Sequence, residues 1–247
     1  MTVKAKAKPP ALARGLDPAR LAGAFARHGR LHIPGILRPA DAQAVGAALA
    51  QAVPWHRSLT AAGKSYDIAL DVLETMPDDR RAGMVAAMEA AAREGFQYQF
   101  DAWRLSDLME AGQRTGGALG PLEGLYDLLN SPAFLDFIRA VTGEPRVAFC
   151  DAQATRYRPG DFLNAHDDDV AGKKRLFAYV MNFTPRWRTD WGGLLAFHDP
   201  DGHVSEAYAP TFNALNIFRV PQPHSVTQVA SFAGGPRLSV TGWIRER

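Results

Sequence analysis

The stretch Val147-Ala-Phe-Cys-Asp-Ala-Gln-Ala-Thr-Arg-Tyr157 marks a change from helix-like to strand-like patterns in this chain. From here to the carboxyl end, short β-prone runs recur, and Gly, Pro and Asp residues separate them. The later runs cover residues 176–183, 194–197, 204–208, 212–220, 225–229 and 238–244. Many short strands joined by turns are typical of a sandwich or a jelly roll. The sequence therefore predicts a β core in its second half.

Helix signals dominate the first half of the chain. Asp17-Pro18 is a helix cap followed by a proline at the first helical position, and Pro39 opens a second helix. Ser131 is the cap of a later helix, and Gly143 ends it. The predicted helices cover about residues 17–28, 39–52, 77–92, 122–129 and 132–141.

The predicted organisation is a single α+β domain with a jelly-roll core. This domain covers residues 15–247, with a helix-rich part at 15–144 and the β core at 145–247. We expect the helices to pack on one sheet of the core, making one unit rather than two. Residues 1–14 carry three lysines and no apolar run of a secretory signal, so we interpret them as a disordered basic tail. The glycine-containing segment 105–121 is a candidate lid.

Composition limits the classes of protein to which the chain can belong. It has 247 residues, 47% of them apolar, and a net charge of +2, which suits a globular protein with a substantial core. So small a net charge does not indicate a nucleic-acid or membrane partner. Cys150 is the only cysteine, which excludes an internal disulfide framework and a cysteine-rich zinc site. No apolar run approaches the roughly 20 residues of a membrane helix, and we expect a cytoplasmic protein.

Three residues in the β core have the character of metal ligands. His166 and Asp168 are separated by one residue, and His224 lies near a later predicted strand. Side chains at i and i+2 of a strand point to the same face, so His166 and Asp168 could reach one metal while Asp167 faces away. Two imidazoles and one carboxylate leave other coordination positions open, which suits a redox-active iron. The alternative interpretation is a polar turn at residues 166–169, since an isolated His-x-Asp is common.

The last predicted strand has one polar and one apolar face. Arg237, Ser239 and Thr241 share the polar face, whereas Leu238 and Val240 lie on the other. If the polar face points into a closed core, Arg237 needs an anionic partner, because an unpaired buried charge is very costly. A ligand carboxylate would fit the planar guanidinium, unless Arg237 lies on a solvent-facing edge. An earlier strand repeats this polar face through Asp151, Gln153, Thr155 and Tyr157.

Together these residues resemble the Fe(II)- and 2-oxoglutarate-dependent dioxygenases. Within them the chain is most similar to the prolyl 4-hydroxylase-like branch, which includes the ribosomal and hypoxia-sensing prolyl hydroxylases. The resemblance covers about residues 147–247 and rests on one set of motifs. These are His166-x-Asp168, His224, Arg237-x-Ser239, Tyr157-x-x-Gly160 and Trp191-Gly192-Gly193. The resemblance implies a double-stranded β-helix, which is a distorted jelly roll.

The resemblance also implies a role for each candidate residue. It implies that iron(II) is bound by His166, Asp168 and His224. It implies that 2-oxoglutarate, the co-substrate, is bound by Arg237, Ser239 and Tyr157. Candidate residues for the cavity lining are Gln153, Thr155 and Leu195. Molecular oxygen is the second co-substrate, and ascorbate is a further candidate cofactor.

The branch tends to carry a tyrosine on the strand after the first metal ligands. Here the run is Tyr179-Val180-Met181-Asn182, in which the tyrosine is displaced. We therefore do not assign Tyr179 to the co-substrate.

The substrate that the resemblance implies is a prolyl residue in a protein or peptide, hydroxylated at a C–H bond. One alternative is a hydroxylase of a small molecule or free amino acid with the same core. A second alternative is a non-catalytic jelly-roll module that binds a ligand. A third is a cupin-like metalloenzyme, but such chemistry has no need for the carboxylate fork of Arg237.

Overall fold

The computed structural model describes residues 9–61 and 63–247 of the chain. The α-helices are α1 (Pro18–His28), α2 (Pro39–Gln51), α3 (Leu70–Glu74), α4 (Asp78–Glu94), α5 (Leu105–Glu110), α6 (Gly120–Leu129) and α7 (Pro132–Thr142). The strands are β1 (Arg30–Pro34), β2 (His56–Ala61), β3 (Lys64–Ala69), β4 (Tyr98–Trp103), β5 (Phe149–Cys150), β6 (Gln153–Tyr157), β7 (Phe162–His166), β8 (Arg175–Asn182), β9 (Leu195–His198), β10 (Val204–Tyr208), β11 (Ala214–Arg219), β12 (His224–Val226) and β13 (Arg237–Arg245). Across these two described ranges, no helix combines the length and apolarity that crossing a bilayer requires.

The strands form one antiparallel sheet that curls into a nearly closed barrel. Its order is β1-β11-β8-β13-β6-β4-β7-β12-β9-β10, with β2, β3 and β5 attached at the sides. The turn of the barrel lies at β4, one edge of which pairs first with β7 at Tyr98–Gln99 and then with β6 at Asp101–Trp103, while β2 pairs along the other edge. Phe197 on β9 packs in the same interior cluster as Val180 on β8 and Phe218 on β11. The jelly-roll core expected from the sequence is therefore confirmed.

The part of the sheet formed by β11, β8 and β13 has two different faces, because side chains alternate along each strand. Leu215, Met181 and Val240 are neighbours in register and face the helices. Helices α1, α2, α6 and α7 contribute their apolar residues to this same core cluster. On the opposite face, Val180 and Thr241 pair in register and point into the barrel. The helices thus cover one sheet, as predicted, and leave the barrel interior for the site.

Residues 9–17, which precede α1, are more ordered than their composition predicts. Part of the predicted disordered tail, residues 1–8, lies outside the described residues. Further along the predicted tail, Leu12 forms a bridge with Leu37, and the backbone nitrogen of Ala13 donates to the Ile36 oxygen at 2.9 Å. The expectation of disorder is wrong at these positions, because their backbone groups pair with a neighbouring segment.

One hairpin was not predicted from the sequence, and the candidate lid contacts the core of the protein. The β2–β3 hairpin was not predicted, and β2 of this hairpin pairs with β4. The segment 105–121 contacts the core at its beginning and is held near its end, and its role as a lid stays a prediction. Leu105 is fully buried in α5, and the Glu123 carboxylate accepts the backbone N–H groups of Thr115 and Gly116.

A buried ion cluster fastens β2 to β4 and to the turn between β6 and β7. Arg57 Nη2 lies 2.9 Å from Asp101 Oδ1, and its Nη1 donates to Asp161 Oδ1 at 2.6 Å. Arg156 and Arg158 also contact the Asp101 carboxylate. The second oxygen of Asp161 accepts the backbone N–H of Arg158, which closes the turn that leads into β7. The cluster therefore sets where β7 begins.

We predict that Arg57→Met lowers the free energy of unfolding by about 3–5 kcal/mol, because it leaves the buried Asp161 carboxylate without its cation and removes one of three cations from Asp101. Urea denaturation followed by circular dichroism measures this loss. Arg188→Met is the matched control, since Arg188 pairs with Asp190 on the surface. Its loss should stay below about 1 kcal/mol. Equal losses in the two variants would contradict the structural role of the cluster.

Candidate metal centre

Two histidines lie side by side on the neighbouring strands β7 and β12. His166 ends β7 and His224 begins β12, and the two residues are direct partners in the antiparallel ladder. Their ring centroids are 4.1 Å apart. Asp168 Oδ1 lies 3.6 Å from His166 Nε2, and Asp168 Oδ2 lies 3.5 Å from His224 Nε2. The ligand atoms of these three residues all lie within 4.8 Å of one another, which is compatible with one shared metal ion.

Asp168 reaches this cluster by a turn and not along the strand. β7 ends at His166, and Asp168 adopts a left-handed backbone conformation with a φ of 65°. The expectation that His166 and Asp168 use the same strand face is therefore wrong, although they do converge. Asp and Asn tolerate this conformation better than most residues. Arg175 supports the turn, since its Nη1 donates to the Asp168 carbonyl oxygen at 3.0 Å while its guanidinium lies 3.5 Å from the Trp243 ring.

Both histidines are oriented by their backbone neighbours. His166 Nδ1 is 2.9 Å from the Asn164 carbonyl oxygen, and His224 Nδ1 is 2.8 Å from the Gln222 carbonyl oxygen. Because a carbonyl oxygen can only accept, each Nδ1 carries the proton and each Nε2 keeps a free lone pair. Burial, with a contribution from His166, lowers the pKa of His224 to about 4. His224 is therefore neutral at pH 7, as a metal ligand must be.

Two imidazoles and one carboxylate fit iron(II) well. This ligand set on one side of an ion leaves coordination positions open for a chelating acid and oxygen. The cluster contains no thiolate, which fits iron(II) better than a structural zinc site of the cysteine-rich kind.

Arg237 carries a buried charge that lacks an anionic partner. Its exposed fraction is 2%, and among the described residues its Nε has no hydrogen-bond partner and no carboxylate forms a salt bridge with it. The guanidinium lies 5.0 Å from the centre of the Tyr157 ring, and burial lowers the pKa of Arg237. Gly193 allows this close packing, because a Cβ atom there would lie 3.3 Å from Arg237 Cδ. Such a buried cation indicates an anionic ligand.

One cavity of about 560 Å³ connects the histidine cluster with Arg237. Its lining includes all nine residues selected from the sequence, which are Gln153, Thr155, Tyr157, His166, Asp168, Leu195, His224, Arg237 and Ser239. Ser239 Oγ lies 2.7 Å from Thr155 Oγ1, so two hydroxyl groups face the cavity together. Asp151 does not join this lining, because its carboxylate accepts Arg245 Nη2 at 2.9 Å.

The structure adds residues to the site that sequence reasoning missed. Arg175 and Trp243 line the cavity. Their only signal in the sequence is that Arg175 follows shortly after Asp168 and Trp243 shortly after Arg237. An aromatic wall also leads from the mouth to Tyr157. In this wall, Phe96, Tyr98 and Phe100 are successive neighbours, and Phe100 stacks on Tyr157 with 4.9 Å between ring centres. Phe96, Tyr98 and Phe100 alternate with polar residues in the sequence, which is the local signal for this wall.

Comparison with known proteins supports this assembly. Residues 152–245 match the model of the 2OG-Fe(II) oxygenase superfamily. Mouse prolyl 3-hydroxylase OGFOD1 is 30% identical over 119 residues, which cover 45% of this chain and 21% of the relative. The corresponding protein of Xenopus laevis is 30% identical over 118 residues, covering 45% and 22%. The chain thus spans about a fifth of the length of these curated relatives.

Solved structures share the fold over nearly the whole chain. A Pseudomonas putida prolyl-4-hydroxylase has a TM-score of 0.57 at 18% identity, covering 93% of this chain and 99% of that one. A Trichoplax adhaerens prolyl hydroxylase, in complex with a hypoxia inducible factor peptide fragment, has a TM-score of 0.61 at 14% identity, covering 93% and 89%. At these identities the likeness concerns the fold, and it agrees with the predicted double-stranded β-helix.

We predict that Asp168→Asn weakens Mn²⁺ binding by more than about 100-fold, a larger loss than outer-sphere changes cause. Mn²⁺ serves as an oxygen-stable substitute for iron(II), and isothermal titration calorimetry measures its affinity. Asparagine also tolerates a positive φ, so the melting temperature of the metal-free protein should not change. Asp167→Asn, at the exposed neighbouring position, is the control and should bind Mn²⁺ like the original protein. Unchanged affinity in Asp168→Asn would exclude Asp168 as a ligand.

Proposed function

We propose that this protein is an Fe(II)- and 2-oxoglutarate-dependent dioxygenase that hydroxylates a prolyl residue in a protein or peptide, which the match of residues 152–245 to the 2OG-Fe(II) oxygenase superfamily model supports. One observation carries the proposal. A cluster of two imidazoles and a carboxylate shares one cavity with a buried arginine that lacks an acidic partner. A metal chelator with a second, distant carboxylate satisfies both features at once.

Iron(II), when bound, supplies the chemistry by which oxygen and 2-oxoglutarate become a hydroxyl group on the substrate, succinate and carbon dioxide. The protein residues bind and orient the reactants. His166, Asp168 and His224 would hold the metal and leave its cavity side open. The wall of the barrel excludes water from the reacting atoms.

Arg237 would bind the carboxylate of 2-oxoglutarate that is distant from the metal. Its planar fork can donate two parallel hydrogen bonds, and Ser239 can add a third from the same strand face. Burial raises the pKa of Tyr157 well above its usual range, so its hydroxyl stays protonated and can donate to the co-substrate. The stacking of Tyr157 between Phe100 and Arg237 fixes the direction of that donor.

The mouth of the cavity supports a peptide substrate. Phe96 is 48% exposed and its ring lies 5.4 Å from the His166 ring, so an apolar surface stands beside the metal ligands. Val170, which is 47% exposed, lies at the same mouth. Apolar side walls suit the pyrrolidine ring of proline and the apolar neighbours of a peptide bond. The relatives named as prolyl 3-hydroxylases and prolyl hydroxylases point the same way.

We expect proline-containing peptides, incubated with the protein, iron(II), 2-oxoglutarate and oxygen, to gain one oxygen atom at proline. Mass spectrometry detects the gain, and succinate should form in equal amount. Free L-proline, tested in parallel, should not react, because it cannot use the apolar mouth. His224→Ala should abolish both products. Hydroxylation of free L-proline without any reaction of peptides would favour the amino acid hydroxylase alternative.

We predict that Arg237→Lys raises the KM for 2-oxoglutarate about 10- to 100-fold, because a point charge cannot replace two charge-assisted hydrogen bonds. The kcat at saturating 2-oxoglutarate should change much less. Arg245→Lys is the matched control, since Arg245 lies on the same strand but pairs with Asp151. An unchanged KM in Arg237→Lys would contradict the assignment of the carboxylate site.

A further inference from the structure

Asn182, the last residue of β8, has an unused hydrogen-bonding group in the core. Its exposed fraction is 0%, and neither atom of its side-chain amide has a partner among the described residues. Buried amides are nearly always satisfied in folded proteins. Asn213 shows the ordinary case, because its amide accepts the Leu37 N–H at 3.0 Å and donates to the Leu37 oxygen at 2.8 Å. The Asn182 amide is therefore missing a partner.

The strand register places Asn182 at the same end of the barrel as the arginine. Asn182 is the direct partner of Ser239 on β13, and Ser239 lines the cavity. Arg237 lies two residues from Ser239 on the same strand face. Direct partners on one face of a sheet have Cβ atoms about 5 Å apart, and diagonal neighbours are about 7–8 Å apart. The register thus places the Asn182 amide and Arg237 Nε, both without a partner among the described residues, at diagonal positions on the inner face of neighbouring strands.

We infer that Asn182 is a second ligand for the distant carboxylate of 2-oxoglutarate, an inference that rests on the proposed function. Asn182 Nδ2 donates to a carboxylate oxygen beside the Arg237 guanidinium. The amide can fill this role because it donates without adding charge, so the carboxylate keeps Arg237 as its only counter-ion.

A neighbouring asparagine has an unused donor on the same face. Asn216 on β11 pairs with Val180, so it is a diagonal neighbour of Asn182 on the same inner face. Its Oδ1 lies 2.7 Å from His32 Nδ1, while its Nδ2 has no partner. Asn216 Nδ2 and the Asn182 amide are thus neighbouring polar groups that make no hydrogen bond with each other.

This arrangement makes Asn182 a determinant of co-substrate specificity. A keto acid that chelates the metal but lacks the second carboxylate leaves both Asn182 and Arg237 unpaired. A site built around buried polar groups discriminates strongly against a ligand that does not satisfy them. Asn182 should therefore contribute to binding 2-oxoglutarate and contribute nothing to binding 2-oxobutanoate.

Binding of these two acids to the Mn²⁺-loaded protein tests the inference without turnover. We expect Asn182→Leu to bind 2-oxoglutarate about 10- to 100-fold more weakly and to bind 2-oxobutanoate as the original protein does. The melting temperature of the ligand-free variant should stay the same or rise, because an apolar side chain of similar size removes an unsatisfied amide. A purely structural role for Asn182 would lower it instead.

Two further variants complete the design. Asn213→Gly keeps the positive φ of that residue but removes a satisfied amide, so it should lower the melting temperature and leave 2-oxoglutarate binding unchanged. Asn182→Asp keeps the shape of the side chain, and its charge should weaken 2-oxoglutarate binding even more than leucine does. This second variant answers the question if Asn182→Leu does not fold.

The outcomes separate the inference from the function on which it rests. If the Asn182 variants bind 2-oxoglutarate as tightly as the original protein, or lose affinity equally for both acids, Asn182 is not a carboxylate ligand and the proposed function stands. If the original Mn²⁺-loaded protein binds neither acid, the proposed function fails and the inference fails with it.

Discussion

The site depends on the register between β7 and β12. His166 and His224 are direct partners in this antiparallel ladder, which puts their imidazoles on the same face. A slip of one residue would turn one histidine to the outside of the barrel, because strand side chains alternate. The ion cluster around Arg57 fixes the turn before β7, and the pairing of β12 with β9 fixes the other side. The position of the candidate metal ligands therefore depends on strand pairing throughout the barrel.

The second requirement is a buried positive charge that the protein itself leaves without an acid. Arg237 is enclosed by Tyr157 and by the chain at Gly193, and its Nε lacks a partner in the described part of the structure. Asn182 adds an unsatisfied amide on the same inner face. Unpaired groups of this kind lower the stability of the ligand-free protein, and a dicarboxylate restores their hydrogen bonds. The groups that would bind the dicarboxylate therefore lower the stability of the ligand-free protein.

Much of this arrangement could be predicted from the sequence, because strand alternation is a local rule. It grouped Gln153, Thr155 and Tyr157 on one face and Arg237 with Ser239 on another, and all five line the cavity. The rule failed where strands end. Asp168 comes to the site through a left-handed turn, and Asp151 leaves the polar face because β6 begins only at Gln153. Contacts between distant segments, such as Arg57 with Asp161, have no local signal.

The most direct test is a crystal structure of the protein with Mn²⁺ and 2-oxoglutarate, grown without oxygen. We expect electron density for one metal ion bound by His166 Nε2, His224 Nε2 and the Asp168 carboxylate. The keto acid should chelate that ion, with its second carboxylate paired to Arg237. A metal ion bound elsewhere, or a co-substrate whose second carboxylate lies away from Arg237, would contradict this account.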